Sequence, residues 1–199
     1  MIGVLVGVAL AVASMVLGLT VRHQPPALDE ALREGAMGLG PGFAHASAVV
    51  SFVLSPGLAT IALVSLALRA FLAKDPLPAR CAVLLAVCWS TVFARYWYQR
   101  VRPIDFPKWA YPSGHVTAVT AVAFTGVVLC AWLARRYLRL AVVLACTAVV
   151  VTGASRVVLE MHWFTDTVGA VLAVVGVGLV AARALRLVPA GVVSRREQS

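Results

Sequence analysis

The chain has 199 residues, of which 61% are hydrophobic and only 13% charged, and it carries a formal net charge of +9. That balance lies outside the range of soluble globular domains and fits a polytopic membrane protein. In a soluble protein the charge would suggest nucleic acid. Here the Lys and Arg residues gather at the ends of apolar stretches, where the positive-inside rule and anionic head groups account for them, so nucleic-acid binding is excluded.

A spanning helix needs about 20 predominantly apolar residues. Six stretches qualify, at about 2–21, 46–68, 81–99, 114–134, 139–158 and 166–185. The expected fold is all-α, a bundle of six transmembrane helices forming one domain over 1–199. The first stretch lacks a basic leading segment and a clean cleavage site before Arg22, and it is too long for a signal-peptide core, so it reads as a retained span. Between about 22 and 45, apolar residues are mixed with Asp29, Glu30, Arg33 and Glu34. The i, i+4 pair Leu28 and Leu32 fits a short amphipathic helix on the membrane surface, and an ordinary loop fits as well. Cys81, Cys88, Cys130 and Cys146 all fall within predicted spans, without metal-ligand spacing, and read as apolar packing.

Lys and Arg are unevenly divided between the two membrane sides. Arg69, Lys74, Arg80, Arg135, Arg136, Arg139, Arg183, Arg186, Arg195 and Arg196 make ten on one side. Seven (Arg22, Arg33, Arg95, Arg100, Arg102, Lys108 and Arg156) lie on the other, with six of the eight acidic residues. The positive-inside rule then places both termini in the cytoplasm and the first, third and fifth loops outside the cell membrane. Tyr96, Trp97, Tyr98, Trp109, Tyr111 and Trp163 cluster on the outer side, mostly as an interfacial aromatic belt, with one or two as candidates to line a substrate.

That same side carries the residues capable of chemistry. The third span ends in Arg95-Tyr96-Trp97-Tyr98-Gln99-Arg100-Val101-Arg102-Pro103. Pro103 is expected to stop the helix, so Arg95 and Arg102, seven residues apart, leave the same face of one helix and offer planar N–H forks to phosphate oxygens. Arg100 and Lys108 read as snorkelling to head groups. Pro112-Ser113-Gly114-His115 opens the fourth span, with Ser113 in the N-cap region, Gly114 allowing close backbone approach to an anion, and His115 placed to protonate a leaving oxygen. Ser155 and Arg156 close the fifth span. His162 and Asp166 lie four apart at the start of the sixth, so the carboxylate can fix the imidazole tautomer and leave the other nitrogen as a nucleophile. A divalent metal would want more carboxylates than Asp105 and Glu160 supply, and the arginines would repel it, so no metal or cofactor is expected.

These residues resemble the type 2 phosphatidic acid phosphatase superfamily, whose pattern is Lys-x6-Arg-Pro, Pro-Ser-Gly-His and Ser-Arg-x5-His-x3-Asp. The second and third parts match in full, and either alone would arise by chance in such a chain on the order of once in a thousand. In the first, Arg95 stands where the pattern has lysine. The resemblance implies a metal-independent membrane lipid phosphatase with a catalytic core at about 90–170 and a cytoplasmic tail at about 186–199. His162 would attack phosphorus to form a phosphohistidine, Asp166 would orient it, and His115 would act as general acid and then activate water. Arg95, Arg102, Ser113, Gly114 and Arg156 would hold the phosphate oxygens. The substrate would be a phosphorylated lipid reached from the bilayer, such as polyprenyl diphosphate, phosphatidylglycerophosphate or phosphatidic acid. The alternative is a non-catalytic lipid-binding or transport protein on the same scaffold. Nothing in the sequence points to an oligomeric state.

Overall fold

The computed structural model describes residues 1–106 and 109–188. Lys108 and most of the expected tail, from 189 onward, lie outside the described residues. Nine α-helices follow in order: α1 (Ile2–Thr20), α2 (Ala27–Met37), α3 (Pro41–Val53), α4 (Pro56–Ala73), α5 (Pro76–Ser90), α6 (Arg95–Tyr98), α7 (Gly114–Leu133), α8 (Leu138–Val158) and α9 (Phe164–Ala184), with no strand among the described residues. Counting α3–α4 and α5–α6 as one segment each, six among the described residues are long and apolar enough to cross a membrane. The protein is an all-α, six-span membrane protein, and the segment after the first span is the amphipathic helix α2.

Two of the expected spans are not continuous α-helices. The second breaks at Leu54–Ser55, because Pro56 lacks an N–H and disfavours helical backbone at the residue before it. Ser55 is accordingly extended, at φ −109° and ψ 169°, and Pro56 begins α4. The third tightens into a 3-10 turn at Thr91–Ala94 and ends at Tyr98. Gln99, left-handed at φ 51°, stops it by turning its N–H back to the Arg95 carbonyl at 3.0 Å. The stop therefore comes four residues before Pro103.

The core lies between α5, α7 and α9, where Cys81, Leu84, Leu85, Cys88, Ala121 and Val174 are buried together. Helix α1 runs along α9. Association in a bilayer depends on close packing rather than water exclusion, so small residues line this seam. A Cβ on Gly7 would stand 2.8 Å from the Gly176 carbonyl, and one on Gly176 would stand 2.6 Å from the Ala11 nitrogen. The outer faces of α4 and α8 present residues such as Ile61, Phe71, Val143 and Val150, as expected where the solvent is lipid.

Candidate active site

Three helix ends and one loop meet at a single rim. The first end is the C-terminus of α8, where Glu160 is left-handed at φ 51°. Its N–H reaches the Val157 carbonyl at 2.9 Å and that of Met161 reaches the Arg156 carbonyl at 3.1 Å, the two bonds of a Schellman cap. A non-glycine residue in this conformation costs about 1–2 kcal/mol. The Arg33 Nε to Glu160 Oε2 ion pair at 2.8 Å, made from α2, helps hold it there. The cap swings His162 back beneath Arg156, with the His162 N–H on the same carbonyl at 3.3 Å.

The second end is the start of α9. Asp166 is fully buried; its Oδ2 accepts the Trp163 N–H at 2.9 Å and stands 3.4 Å from His162 Nδ1. On the other side of that ring, Arg102 Nη1 lies 3.2 Å from Nε2. A guanidinium can only donate, so Nε2 is the acceptor and the proton sits on Nδ1, facing Asp166. Burial pushes the His162 pKa down to about 4; Asp166 opposes this and the charges of Arg102 and Arg156 add to it. The imidazole is thus neutral near pH 7, with its lone pair on Nε2.

The third end is the start of α7. The Ser113 N–H donates to the Asp166 carbonyl at 3.2 Å, tying α7 to α9, while the buried Ser113 Oγ has no hydrogen-bond partner among the described residues. Arg95 Nη2 reaches the Pro112 carbonyl at 3.4 Å, and a Cβ on Gly114 would lie only 2.5 Å from that nitrogen. Glycine at 114 therefore gives the Arg95 guanidinium room at the helix N-terminus. His115 is half-buried and feels the charges of Arg156, Arg102 and Arg95.

Arg102 comes from the loop after α6 rather than from the same helix face as Arg95, a correction that follows from the early stop at Gln99. Its Nη1 also donates to the Met161 carbonyl at 2.6 Å. Burial lowers its pKa to about 10, and the charge of Arg95 adds to that. Arg156 Nη1 donates to Ser51 Oγ of α3 at 2.5 Å, and its buried Nε has no hydrogen-bond partner among the described residues. All eight expected residues, Arg95, Arg102, Ser113, Gly114, His115, Arg156, His162 and Asp166, thus gather at this rim.

Arg100 departs most from expectation. It is only 2% exposed and cannot snorkel. Its Nη1 donates to Asp166 Oδ1 at 2.6 Å and to Thr165 Oγ1 at 2.7 Å, while Nη2 donates to Asp29 Oδ2 at 2.8 Å. Asp29, on α2 and 1% exposed, also accepts the Thr165 N–H at 2.9 Å and so caps α9 from another helix. Asp29 and Ser51 carried no sequence signal as site residues, since their partners lie far away in the chain. The aromatic belt also divides. Tyr96 and Trp97 are exposed, whereas Tyr98, Tyr111 and Trp163 are buried and structural. Tyr111 donates to the Ser14 carbonyl at 2.5 Å, and the Trp163 indole donates to the Val101 carbonyl at 3.1 Å.

Chemically, the rim offers guanidinium donors, a free serine hydroxyl and a helix N-terminus to an anion, with a neutral, oriented imidazole beside them. Its one central carboxylate is already engaged by Arg100 and the Trp163 N–H. The donor set fits a phosphate far better than a divalent cation.

The family model of the PAP2 superfamily matches residues 58–188, more than half of the chain. No curated protein matches it significantly. The fold is similar to the crystal structure described as the first transmembrane PAP2-type phosphatidylglycerolphosphate phosphatase from Bacillus subtilis. The TM-score is 0.72 at 20% identity, over 90% of this chain and 94% of that one.

Proposed function

The chain belongs to the PAP2 superfamily, and on that premise we propose that it is an integral membrane lipid phosphatase that cleaves a phosphomonoester or diphosphate without a metal, through a phosphohistidine on His162. The observation that carries this reading is the His162 ring, held with Nδ1 toward Asp166 and its Nε2 lone pair toward the guanidinium groups. A phosphate that takes over Arg102 frees that lone pair. Nε2 then attacks phosphorus, the P–O bond to the lipid breaks, and His115, protonated once the bound phosphate offsets the arginine charges around it, gives its proton to the departing oxygen. Asp166 stabilises the imidazolium character that develops on His162. His115, now neutral, takes a proton from water; the water oxygen attacks phosphorus, the P–N bond breaks and inorganic phosphate leaves.

Arg95, Arg102, Arg156, Ser113 and the first N–H groups of α7 neutralise the equatorial oxygens in both steps. Arg95 in the lysine position places a broad fork against Gly114, so phosphate register is set there by the guanidinium plane rather than by a point charge. The proposed orientation puts this rim outside the cell membrane and both termini in the cytoplasm, on the strength of the charge asymmetry. Phosphatidylglycerolphosphate, which the B. subtilis protein's description names, and phosphatidic acid or a polyprenyl diphosphate all present the required group. The test is phosphate release by the purified protein from these lipids in excess EDTA. Sustained turnover is expected; activity that disappears with chelator and returns with magnesium contradicts the mechanism.

A further inference from the structure

An apolar groove of about 600 Å³ runs down from the rim between α8 and α9, roofed by α2. Its walls begin beside the site. Val116, Val157 and Thr167, which line it, directly follow His115, Arg156 and Asp166 in sequence. Thr167 does not make the wall polar, because its hydroxyl is spent on the Phe164 carbonyl at 2.7 Å. The α8 wall extends from Val158 to Val149, about 14 Å of helix rise. That is close to half of a hydrocarbon core of about 30 Å, one leaflet deep. The roof is fixed to the site through Asp29 on Arg100 and Arg33 on Glu160, and it turns Leu32, Gly35 and Leu39 toward the groove. Two further apolar hollows, of about 330 and 400 Å³, include no residue adjacent in sequence to a site residue.

We propose that this groove is the tail subsite of the enzyme: it holds one apolar chain of the lipid whose phosphate lies at His162, and α2 selects that chain. The assignment rests on the lipid phosphatase reading. The occupant is an amphiphile because the one-leaflet apolar groove starts one residue along the chain from His115, Arg156 and Asp166, next to the basic donors. A soluble phosphate would leave the channel unused, and a phosphate-free lipid would leave the donors unused. The small side chains Gly35 and Ala154 keep the channel open. A Cβ on Gly35 meets nothing within 4 Å, and Ala154 is exposed, so larger residues fit at both positions without disturbing the fold.

The experiment compares Gly35→Leu and Ala154→Leu with the native protein on dioleoyl and dihexanoyl phosphatidic acid, which share one head group. Turnover of the short-chain lipid serves as the control for folding. The ratio of kcat/KM for the long chain to that for the short chain is expected to fall about tenfold, equivalent to losing the burial of about two methylenes. A ratio unchanged within twofold in both variants overturns the subsite. A second arm uses phosphatidic acid with a photoreactive diazirine on its tail. Labelling should fall on residues 149–172 and be competed by dioleoyl phosphatidic acid but not by diacylglycerol. Labelling spread evenly over the spans, or competed equally by both lipids, overturns the subsite. Competed labelling in the groove by a protein that releases phosphate from none of phosphatidic acid, phosphatidylglycerolphosphate and polyprenyl diphosphate upholds the subsite and removes the phosphatase reading instead.

Discussion

Arg100 lies between two buried carboxylates, and its position governs how much of Asp166 is left for His162. With Oδ1 on Arg100 at 2.6 Å and Oδ2 on the Trp163 N–H at 2.9 Å, Asp166 meets the imidazole only at 3.4 Å. Asp29 on the far side of the same guanidinium balances its charge. Removing one member of such a buried cluster costs about 3–5 kcal/mol, because the remaining charges lose their partner. Arg100→Leu should therefore destabilise the protein by about that amount in detergent unfolding, and adding Asp29→Leu should recover part of the loss. Strict additivity of the two losses would show that the groups are not coupled. This cluster was hidden in the sequence for a physical reason. An arginine at a helix end among aromatic residues looks the same whether it snorkels or turns inward, and its partner Asp29 lies 71 positions away. His162 and Asp166 were legible because both sit in one turn, so local spacing alone brings them together.

At the scale of elements, Tyr111 acts as the wedge that sets α7 against α1 and α9. Its ring fills the spaces left by Gly18 and Gly169, and its hydroxyl bonds to Ser14, whose own hydroxyl reaches the Gly169 carbonyl at 2.8 Å. Tyr111 immediately precedes Pro112-Ser113-Gly114-His115, so the wedge also positions the anion-binding turn. Gly169→Ala would force a Cβ into the Tyr111 ring. Overpacking of this kind costs about 1–3 kcal/mol. The variant should lose that much stability and at least about tenfold in kcat, since a displacement of about 1 Å at a site is costly. Gly126→Ala on α7, where a Cβ meets nothing within 4 Å, is the control and should be neutral or slightly stabilising. Equal behaviour of the two variants in stability and kcat assays would remove Tyr111 from this role. Helix existence was legible in the six spans, since 20 apolar residues have few alternatives in a bilayer, whereas the sequence of α2 fits a loop equally well. The break at Ser55 could have been read from Pro56; the stop at Gln99 could not, because a left-handed glutamine leaves no compositional mark.

Across the whole molecule, the described site residues share one end of the bundle, while Arg69, Lys74, Arg80, Arg135, Arg136 and Arg139 lie in or beside the connections expected at the other. That asymmetry predicts the orientation, which single cysteines can report once the four native ones are replaced by alanine. A cysteine at Val101, 72% exposed, should react with an impermeant maleimide in intact cells, and one at Lys74 only after lysis. Labelling of both from the same side contradicts six alternating spans. The orientation matters to the mechanism because it decides which leaflet delivers the lipid to the rim and to the groove beneath α2. The covalent step is the central claim, and rapid-quench labelling with a ³²P-lipid phosphate tests it most directly. The native protein should yield an acid-labile, base-stable phosphoprotein. His162→Ala should yield none, with turnover lower by about 10⁴-fold or more. Label that persists in His162→Ala, or that maps to Ser113 or Ser155, contradicts the account.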